Sequence, residues 1–453
     1  MTEKQQLLVN AVDAVRPEIL AAERWLWQHP QTGYTEWQAH EYMKEKFEAL
    51  GYTLTLAGDI PGFITDVDTG RPGPKIVIFS ELDALEQVGH PENVDGKAHS
   101  CGHNAQGAAM LGIAAGLKAP GALDGLSGSI RLCVGPAEEM SQLRFREELR
   151  QKGVIRYMGG KPEFMARGLL DGVDIAMMVH TGGGEDYDFS CGKGSNGCMA
   201  KTMVFKGRAA HAGGAPHLGI NAQYAATLGL AACNALRETF PDKDHIRFHP
   251  IMHGVNCAVN IIPDRMEIES YVRGASQEAI CRENRKLNRA LAGAALAMGA
   301  QVELHDRPGY APEFHDPELM RLTEECCKAL VGEERVRFHY DAWGSASSDF
   351  GDVTCVMPGV QFNAAGATGA GHGIDYCISD PERACVNSAK AQLLLTDALL
   401  REEAAAARSI LKNYKPMYSS IPEYLAAIDT MFLDKEAVTY NEDGSATVTF
   451  AND

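Results

Sequence analysis

Six side chains that can bind a metal ion or move a proton occur in separate parts of the chain. They are Cys101, His103, Glu138, Glu139, His180 and His372. Sulfur, imidazole and carboxylate ligands together suit a borderline transition metal such as zinc, manganese or cobalt better than calcium or magnesium. Five such ligands can hold two divalent ions, bridged by either a thiolate or a carboxylate, and a water in the open position between them would have its pKa lowered towards about 7. The hydroxide formed from that water would be the nucleophile.

The adjacent carboxylates Glu138 and Glu139 predict a division of roles, because neighbouring side chains point in different directions. We expect Glu139 to bind metal and Glu138 to face the water and the substrate. As a general base, Glu138 would take a proton from water and deliver it to a leaving nitrogen, which contributes roughly 10²–10⁴ in rate. Asp83 is the expected partner that orients a ligand histidine.

Each of these residues also has an ordinary structural interpretation. Cys101 alone is typical of a buried thiol, and His180 alone is typical of a histidine satisfied in the core or at the surface. The Glu138–Glu139 pair is common at solvated helix starts, and the glycines around His372 are common in flexible turns. Because all of these residues follow predicted strands, the metal interpretation is favoured.

The elements that must position these residues alternate between strands and helices. Ala105–Leu117 and Gln142–Gln151 predict helices. Apolar runs predict buried strands at 75–80, 129–134, 173–179 and 354–362. The alternation predicts an α/β fold, with a mostly parallel sheet and helices on both faces. Since open sheets of this kind bind ligands at the carboxyl ends of their strands, the six side chains are expected to meet in one crevice.

A different order of elements occupies residues 195–307, which we expect to form a small domain inserted into the larger one. Its predicted order, βαββαβ, is that of a ferredoxin-like sandwich. The predicted segments are 198–205, 220–238, 250–259, 265–271, 277–298 and 301–305. The catalytic metal-binding domain would then comprise residues 1–194 and 308–453. Its C-terminal extension, after about residue 409, carries a predicted hairpin around 442–444 and is expected to pack on the surface.

Composition and charge narrow the classes of partner. With 453 residues, 45% of them hydrophobic, the chain can bury a full core. Its formal net charge of -18 argues against nucleic acid and anionic lipid, so small-molecule ligands are expected. Residues 1–20 contain no apolar signal segment, and no later run is long enough to span a bilayer. The 12 cysteines are scattered rather than spaced as a disulfide framework, so we expect reduced thiols and a cytoplasmic location.

Over about residues 10–400, ordered motifs resemble the aminoacylase, hippuricase and aminobenzoyl-glutamate hydrolase family of di-metal amidohydrolases. The motifs are SELDAL at 80–85, HSCGHN at 99–104, GPAEE at 135–139, VHTG at 179–182, GRAAHAGGAPHLGINA at 207–222, NIIPD at 260–264, GSASSDFGDV at 344–353 and the glycine-flanked His372. The resemblance implies a catalytic domain of the zinc-peptidase fold with two divalent ions per subunit. It also implies that the inserted domain is a lid that closes over the substrate and forms a homodimer.

Carried over by motif, the metal ligands are Cys101, His103, Glu139, His180 and His372, and the base is Glu138. The resemblance further implies that His211 polarises the scissile carbonyl, in its own subunit or in the partner's. Asn260 and Arg273 would contact a substrate carboxylate. Outside the family context, His211 is equally a helix-entry histidine and Arg273 a solvated charge at a strand end.

Two departures from the family pattern indicate a branch. Much of the family has a His-x-Asp first motif where this chain has Glu81-Leu-Asp83, so Cys101 is expected to compensate for the missing histidine. Asn104 and Gln106 resemble the aminobenzoyl-glutamate type. The leading hypothesis is therefore hydrolysis of N-acyl or N-aroyl amino acids, and the alternative is a metal-dependent dipeptidase or carboxypeptidase. A catalytically silent binding protein is a third hypothesis, against which the retained Glu138 argues.

Overall fold

The computed structural model describes residues 1–255 and 258–451, which group into two compact units. We call them the large unit and the small unit. The large unit consists of Met1–Gly194, Glu313–Gly344 and Ser348–Tyr424. The small unit consists of Ser195–Pro312, Ser345–Ser347 and Leu425–Asp453.

The helices and strands are numbered in chain order. The helices are α1 (Glu3–Ala14), α2 (Arg16–Trp27), α3 (Trp37–Ala49), α4 (His103–Leu117), α5 (Leu143–Gln151), α6 (Gly160–Ala166), α7 (Ala222–Ala235), α8 (Gln277–Ala297), α9 (Pro317–Val331), α10 (Phe350–Thr354), α11 (Ser388–Asn413) and α12 (Ile421–Asp429). The strands are β1 (Thr55–Leu56), β2 (Phe63–Asp68), β3 (Lys75–Glu81), β4 (Leu85–Glu86), β5 (Lys97–Ala98), β6 (Ser129–Gly135), β7 (Ile175–Gly183), β8 (Phe189–Ser195), β9 (Gly197–Lys206), β10 (Arg247–Phe248), β11 (Ile251–Gly254), β12 (Arg265–Gly274), β13 (Gln301–Pro308), β14 (Glu313–Phe314), β15 (Val336–Gly344), β16 (Gly359–Thr368), β17 (Cys377–Ile378), β18 (Leu433–Glu436), β19 (Val438–Tyr440) and β20 (Ala446–Val448).

The central sheet of the large unit has the strand order β1-β2-β6-β3-β7-β16-β8-β14. Its four middle strands, β6, β3, β7 and β16, run parallel, whereas β2 and β8 run antiparallel to their neighbours β6 and β16. This confirms the predicted mostly parallel α/β sheet. The candidate ligands and base follow the carboxyl ends of these middle strands, except for His180, which lies inside β7 rather than at its end.

The predicted strand at 354–362 is wrong in its first half. Residues Phe350–Thr354 form the short helix α10, and β16 begins only at Gly359. Phe350 and Val353 are both buried, as the spacing of one helical turn requires. Pro358 lacks an N–H group for the sheet ladder, so a central strand cannot run through it.

Helix α4 forms the centre of the large unit and begins at His103. It is rich in alanine and glycine, and all but one of its residues are buried. It packs against helices α1, α2 and α11 and against the sheet strands β3 and β7. A Cβ atom at Gly112 would lie only 2.6 Å from Cδ1 of Ile19, so the absence of a side chain there permits the close approach of α2. A helix enclosed in this way holds its first residue firmly in place.

The small unit contains the predicted βαββαβ order in β9, α7, β11, β12, α8 and β13. Strands β10, β12, β9, β13 and β18 form its sheet, with β11 also paired to β12, and every pair is antiparallel. Along β12, buried residues alternate with half-buried ones, because α7 and α8 cover one face. The predicted strand 250–259 is shorter than expected, and its residues 256–257 lie outside the described residues.

The C-terminal segment differs from the prediction. It was expected to extend the catalytic domain, but residues from Leu425 onward group with the small unit, because β18 pairs with β13. The predicted hairpin is confirmed, since β19 and β20 pair on either side of Gly444. Across residues 1–255 and 258–451, no helix has both the length and the apolar character needed to cross a membrane.

Candidate metal centre

The loop before α4 and the strand β7 bring three candidate ligands together. Cys101 Sγ lies 3.2 Å from His180 Nε2. Cys101, His103 and His180 each offer one ligand atom, and these atoms all lie within 4.8 Å of one another. Zinc–sulfur and zinc–nitrogen bonds of about 2.3 and 2.0 Å fit a triplet of this size.

A second triplet consists of Cys101, Glu139 and His372, whose ligand atoms also lie within 4.8 Å of one another. His372 Nε2 lies 3.0 Å from Glu139 Oε1. Cys101 is the member that the two triplets share, so its thiolate could contact both ions. The geometry therefore favours the thiolate over the carboxylate as the bridge, a choice that the sequence left open.

His103 shows that this donor set fits a metal ion. Its Nδ1 atom lies 2.9 Å from the carbonyl oxygen and 3.0 Å from Oδ1 of Asp83, and since both partners are acceptors, Nδ1 carries the hydrogen. Nε2 then presents a lone pair, and it is buried without a hydrogen-bond partner. A buried polar atom of this kind requires an explanation, and a cation supplies one. Oδ2 of Asp83 also accepts from the backbone N–H of Glu139 at 2.7 Å, so one carboxylate orients two candidate ligands.

Protonation states in the metal-free protein follow from burial and from neighbouring charges. Burial and the nearby His103 lower the pKa of His180 to about 4, so its imidazole is neutral and free to coordinate. Burial, followed by the Glu139 carboxylate, raises the pKa of the Cys101 thiol well above its usual value, so that a bound cation is needed to stabilise the thiolate. Burial and the carboxylates of Glu81 and Glu139 raise the pKa of Glu138 well above its usual range. Glu138 is therefore a strong proton acceptor, and its Oε2 lies 3.9 Å from His103 Nε2.

Arg146 is a buried residue near the two glutamates that the sequence did not single out. Its guanidinium donates hydrogen bonds to the carbonyl oxygens of Ala137, Glu139 and Met158. On the other side of the same turn, the backbone N–H of Ala137 donates to Glu36 Oε1 at 2.7 Å. These side chains fix the backbone that carries Glu138 and Glu139. No sequence signal separated Arg146 from the other arginines of α5, because only the fold decides which one is buried.

His211, Asn260 and Arg273 belong to the small unit, whereas the five candidate ligands belong to the large unit. Nδ1 of the exposed His211 accepts from the backbone N–H groups of Gly213 and Gly214 at 3.2 and 2.9 Å, which leaves the hydrogen on Nε2. The carbonyl oxygen of Asn260 accepts from the N–H of Ala212 at 3.0 Å, so Asn260 is adjacent to the His211 loop.

Arg273, at the end of β12, is held by two residues that the sequence did not predict. Its Nη1 donates to Ser347 Oγ at 2.8 Å, and its Nε donates to His249 Nε2 at 3.2 Å. The Tyr271 ring lies 5.3 Å from the Arg273 guanidinium carbon. These contacts fix the direction of the guanidinium group, as binding of a planar carboxylate requires.

Comparison with known proteins gives a consistent result. The family model of Peptidase family M20/M25/M40 matches residues 77–396. An indole-3-acetyl-aspartic acid hydrolase from Enterobacter agglomerans is 27% identical over 410 residues, which cover 78% of this chain and 88% of that protein. A p-aminobenzoyl-glutamate hydrolase from Escherichia coli K12 is 27% identical, in one of its subunits, over 313 residues that cover 67% of this chain and 60% of that protein. A solved dinuclear metal-binding peptidase from Bacillus subtilis has the same fold, with a TM-score of 0.61 at 21% identity over 84% of this chain and 98% of that chain.

Gly102 lies between two candidate ligands and gives a first prediction. Its φ is +87°, and a Cβ atom there would lie 2.4 Å from Tyr376 Oη and 3.0 Å from Thr181 Cβ. We expect Gly102→Ala to lower the free energy of unfolding by about 1–3 kcal/mol for the backbone conformation and by about 1–3 kcal/mol more for the close contact, measured by urea denaturation. The matched control is Gly172→Ala, at φ +72° with nothing within 4 Å of the added Cβ. Equal losses in the two variants would contradict the role assigned to the close approach.

Proposed function

Because the chain belongs to Peptidase family M20/M25/M40, we propose that it is a metal-dependent hydrolase that cleaves the amide bond of N-acyl or N-aroyl amino acids. The family assignment agrees with the resemblance drawn from the motifs. The observation that carries the proposal is the pair of ligand triplets that share Cys101, with Glu138 buried beside them. A protein that only bound small molecules would have no use for a buried proton acceptor at this position.

In the proposed mechanism, Cys101, His103, Glu139, His180 and His372 hold two divalent ions, either zinc or manganese, with cobalt as a further choice. When bound, such ions acidify a water molecule and polarise the substrate carbonyl. Glu138 takes the proton from the attacking water at its carboxylate and delivers it to the leaving nitrogen. Asp83 keeps His103 oriented through Nδ1 throughout.

The small unit would supply the remaining contacts with the substrate. His211 has its hydrogen on Nε2 and would donate it to the oxyanion of the tetrahedral intermediate, in its own or the partner's site. Asn260 and Arg273 would bind the free carboxylate of the substrate. We propose an acidic amino acid as the released amine, because the two relatives are named for aspartate and glutamate conjugates. A dipeptidase activity is less favoured on the same ground.

We also propose a cytoplasmic location. In the residues that the structure describes, all 11 cysteines are free thiols, which is usual in a reducing compartment. Most of them are buried and pack as small hydrophobic side chains.

The second prediction tests the activity and its base together. Manganese- or zinc-loaded wild-type protein should hydrolyse N-aroyl and N-acetyl derivatives of glutamate and aspartate faster than free-amine dipeptides. Glu138→Gln should lower kcat by at least about 10²–10⁴ while elemental analysis still finds the wild-type metal content. The matched control is Glu148→Gln, an exposed carboxylate on α5, which should leave kcat unchanged. A preference for dipeptides would favour the alternative function, and the absence of any amide hydrolysis would refute the proposal.

The third prediction concerns the shared thiolate. Since Cys101 belongs to both triplets and His372 to only one, Cys101→Ala should weaken both ions and His372→Ala chiefly one. Metal content after dialysis against a weak chelator, measured by elemental analysis, should therefore be lower for Cys101→Ala than for His372→Ala. Cys377→Ala, which removes a thiol outside both triplets, should retain the wild-type content. An unchanged stoichiometry in Cys101→Ala would contradict the bridging role.

The fourth prediction concerns a homodimer formed through the small unit. Helix α7 exposes Tyr224 and Leu228, at 62% and 40% of their surface, and the edge strand β11 exposes Ile251 at 58%. An exposed sheet edge beside apolar side chains is typical of a two-fold interface. Light scattering should find a dimer for the wild type and a monomer for Tyr224→Glu/Leu228→Glu. Trp37→Glu, at an exposed residue of the large unit, should leave the dimer intact. A concentration-independent monomer in the wild type would refute the proposal.

A further inference from the structure

Glu81, Lys161 and Asp349 form a buried charged cluster outside the five proposed ligands. Their exposed fractions are 2%, 4% and 0%. Lys161 Nζ lies 2.5 Å from Glu81 Oε1 and 2.5 Å from Asp349 Oδ1. One ammonium group therefore serves two carboxylates, and the cluster retains a net negative charge away from water. Such a charge is costly to bury unless a further cation lies close by.

The second oxygen of Glu81 points towards the metal centre. Oε2 accepts from Gln106 Nε2 at 2.9 Å and lies 3.3 Å from His103 Nε2. Because the hydrogen of the His103 ring is on Nδ1, two lone pairs face each other across this gap. Nε2 has no hydrogen-bond partner, so the contact with Glu81 is not a hydrogen bond. A separation of about 3.3–3.4 Å is the one expected between two ligands of a tetrahedral ion whose bonds are about 2.0–2.1 Å long.

The neighbouring ligand atoms agree with a cation at this point. Glu81, His103 and Glu138 offer a further triplet of ligand atoms within 4.8 Å of one another. His103 has only one nitrogen available for coordination, so this triplet and the Cys101 triplet must describe a single ion on Nε2. Of the two glutamates, Glu81 is the nearer to Nε2, at 3.3 Å against 3.9 Å for Glu138. Glu81 is also held from both sides, by Lys161 and by Gln106.

We propose that Glu81 is a sixth protein ligand of the metal centre and binds the ion that sits on His103 Nε2. The inference rests on the proposed metal-dependent function. It gives that ion a carboxylate in addition to its two imidazoles and the shared thiolate. Lys161 and Gln106 then hold the carboxylate in the direction of the ion, while Glu138 stays available for the transfer of protons.

Metal binding tests the inference without reference to activity. Cobalt is titrated into metal-free protein at free concentrations set by a competing chelator, and the visible absorption reports each binding step. Wild-type protein should bind two ions per chain. Glu81→Gln, which keeps the shape of the side chain and an acceptor for Lys161, should weaken one of them by at least about 10–100-fold. Glu86→Gln, an exposed carboxylate on β4, is the matched control and should bind as the wild type does.

The variant His103→Ala identifies which ion is affected. If Glu81 and His103 hold the same ion, the double variant should bind no more weakly than His103→Ala alone. Wild-type affinities for both ions in Glu81→Gln, or losses that add in the double variant, overturn the inference. If circular dichroism shows that Glu81→Gln does not fold, a crystal structure of the zinc-loaded wild type decides. Glu81 Oε2 at about 2.0–2.2 Å from zinc supports the inference, and a position outside bonding distance overturns it.

These outcomes are separate from those of the proposed function. Wild-type protein that binds two cobalt ions while Glu81→Gln is unchanged refutes only the role of Glu81. Wild-type protein that binds cobalt but cleaves no amide refutes the proposed activity and leaves the role of Glu81 standing.

Discussion

Glu81, Asp83, Glu138 and Glu139 are buried where β3 and β6 end, and their charges repel one another in a region that water does not screen. The pKa of Glu138 is raised well above its usual range by burial and by the carboxylates of Glu81 and Glu139. Lys161 balances part of this charge through Glu81 and Asp349. Divalent cations held by the neighbouring thiol and imidazoles would balance the rest. The arrangement of the large unit is consistent with a fold built around cations that its own side chains do not supply.

Such repulsion must be opposed by a rigid backbone, and the ligand-bearing turns show how this is done. Ala137, which precedes the two glutamates, and His372 both have positive φ, at 59° and 63°. These conformations are unfavourable for residues with a side chain and persist only where the surroundings enforce them. Around Ala137 the enforcement comes from Arg146 and Glu36. At His372 the backbone N–H donates to the carbonyl of Ser100 at 2.8 Å, which ties the last ligand to the residue before the first.

The sequence predicted those features that depend on local pattern. Buried strands are continuous apolar runs, and parallel strands place their following residues at one edge, so the convergence of Cys101 with His372 could be expected. Features that depend on long-range packing could not. Nothing local marks Arg146 as buried, since its charge suits a solvated helix, and nothing in residues 433–436 indicates pairing with β13 more than a hundred residues earlier. The false start at 354 arose because an apolar stretch of that length fits a short buried helix as well as a strand.

The adjacent glutamates illustrate how one turn can produce two different chemical groups. Burial would raise the pKa of Glu139, but the hydrogen bond and charge of His372 reverse the effect and lower it. At Glu138 burial acts together with neighbouring carboxylates, so its pKa moves the opposite way. A carboxyl whose charged form is stabilised suits a metal ligand, and one whose charged form is destabilised suits a proton carrier. The backbone N–H of Glu139 is held by Asp83, which fixes the direction in which the two side chains diverge. The proposed roles of the pair therefore depend less on the residues themselves than on which of them the fold turns towards His372.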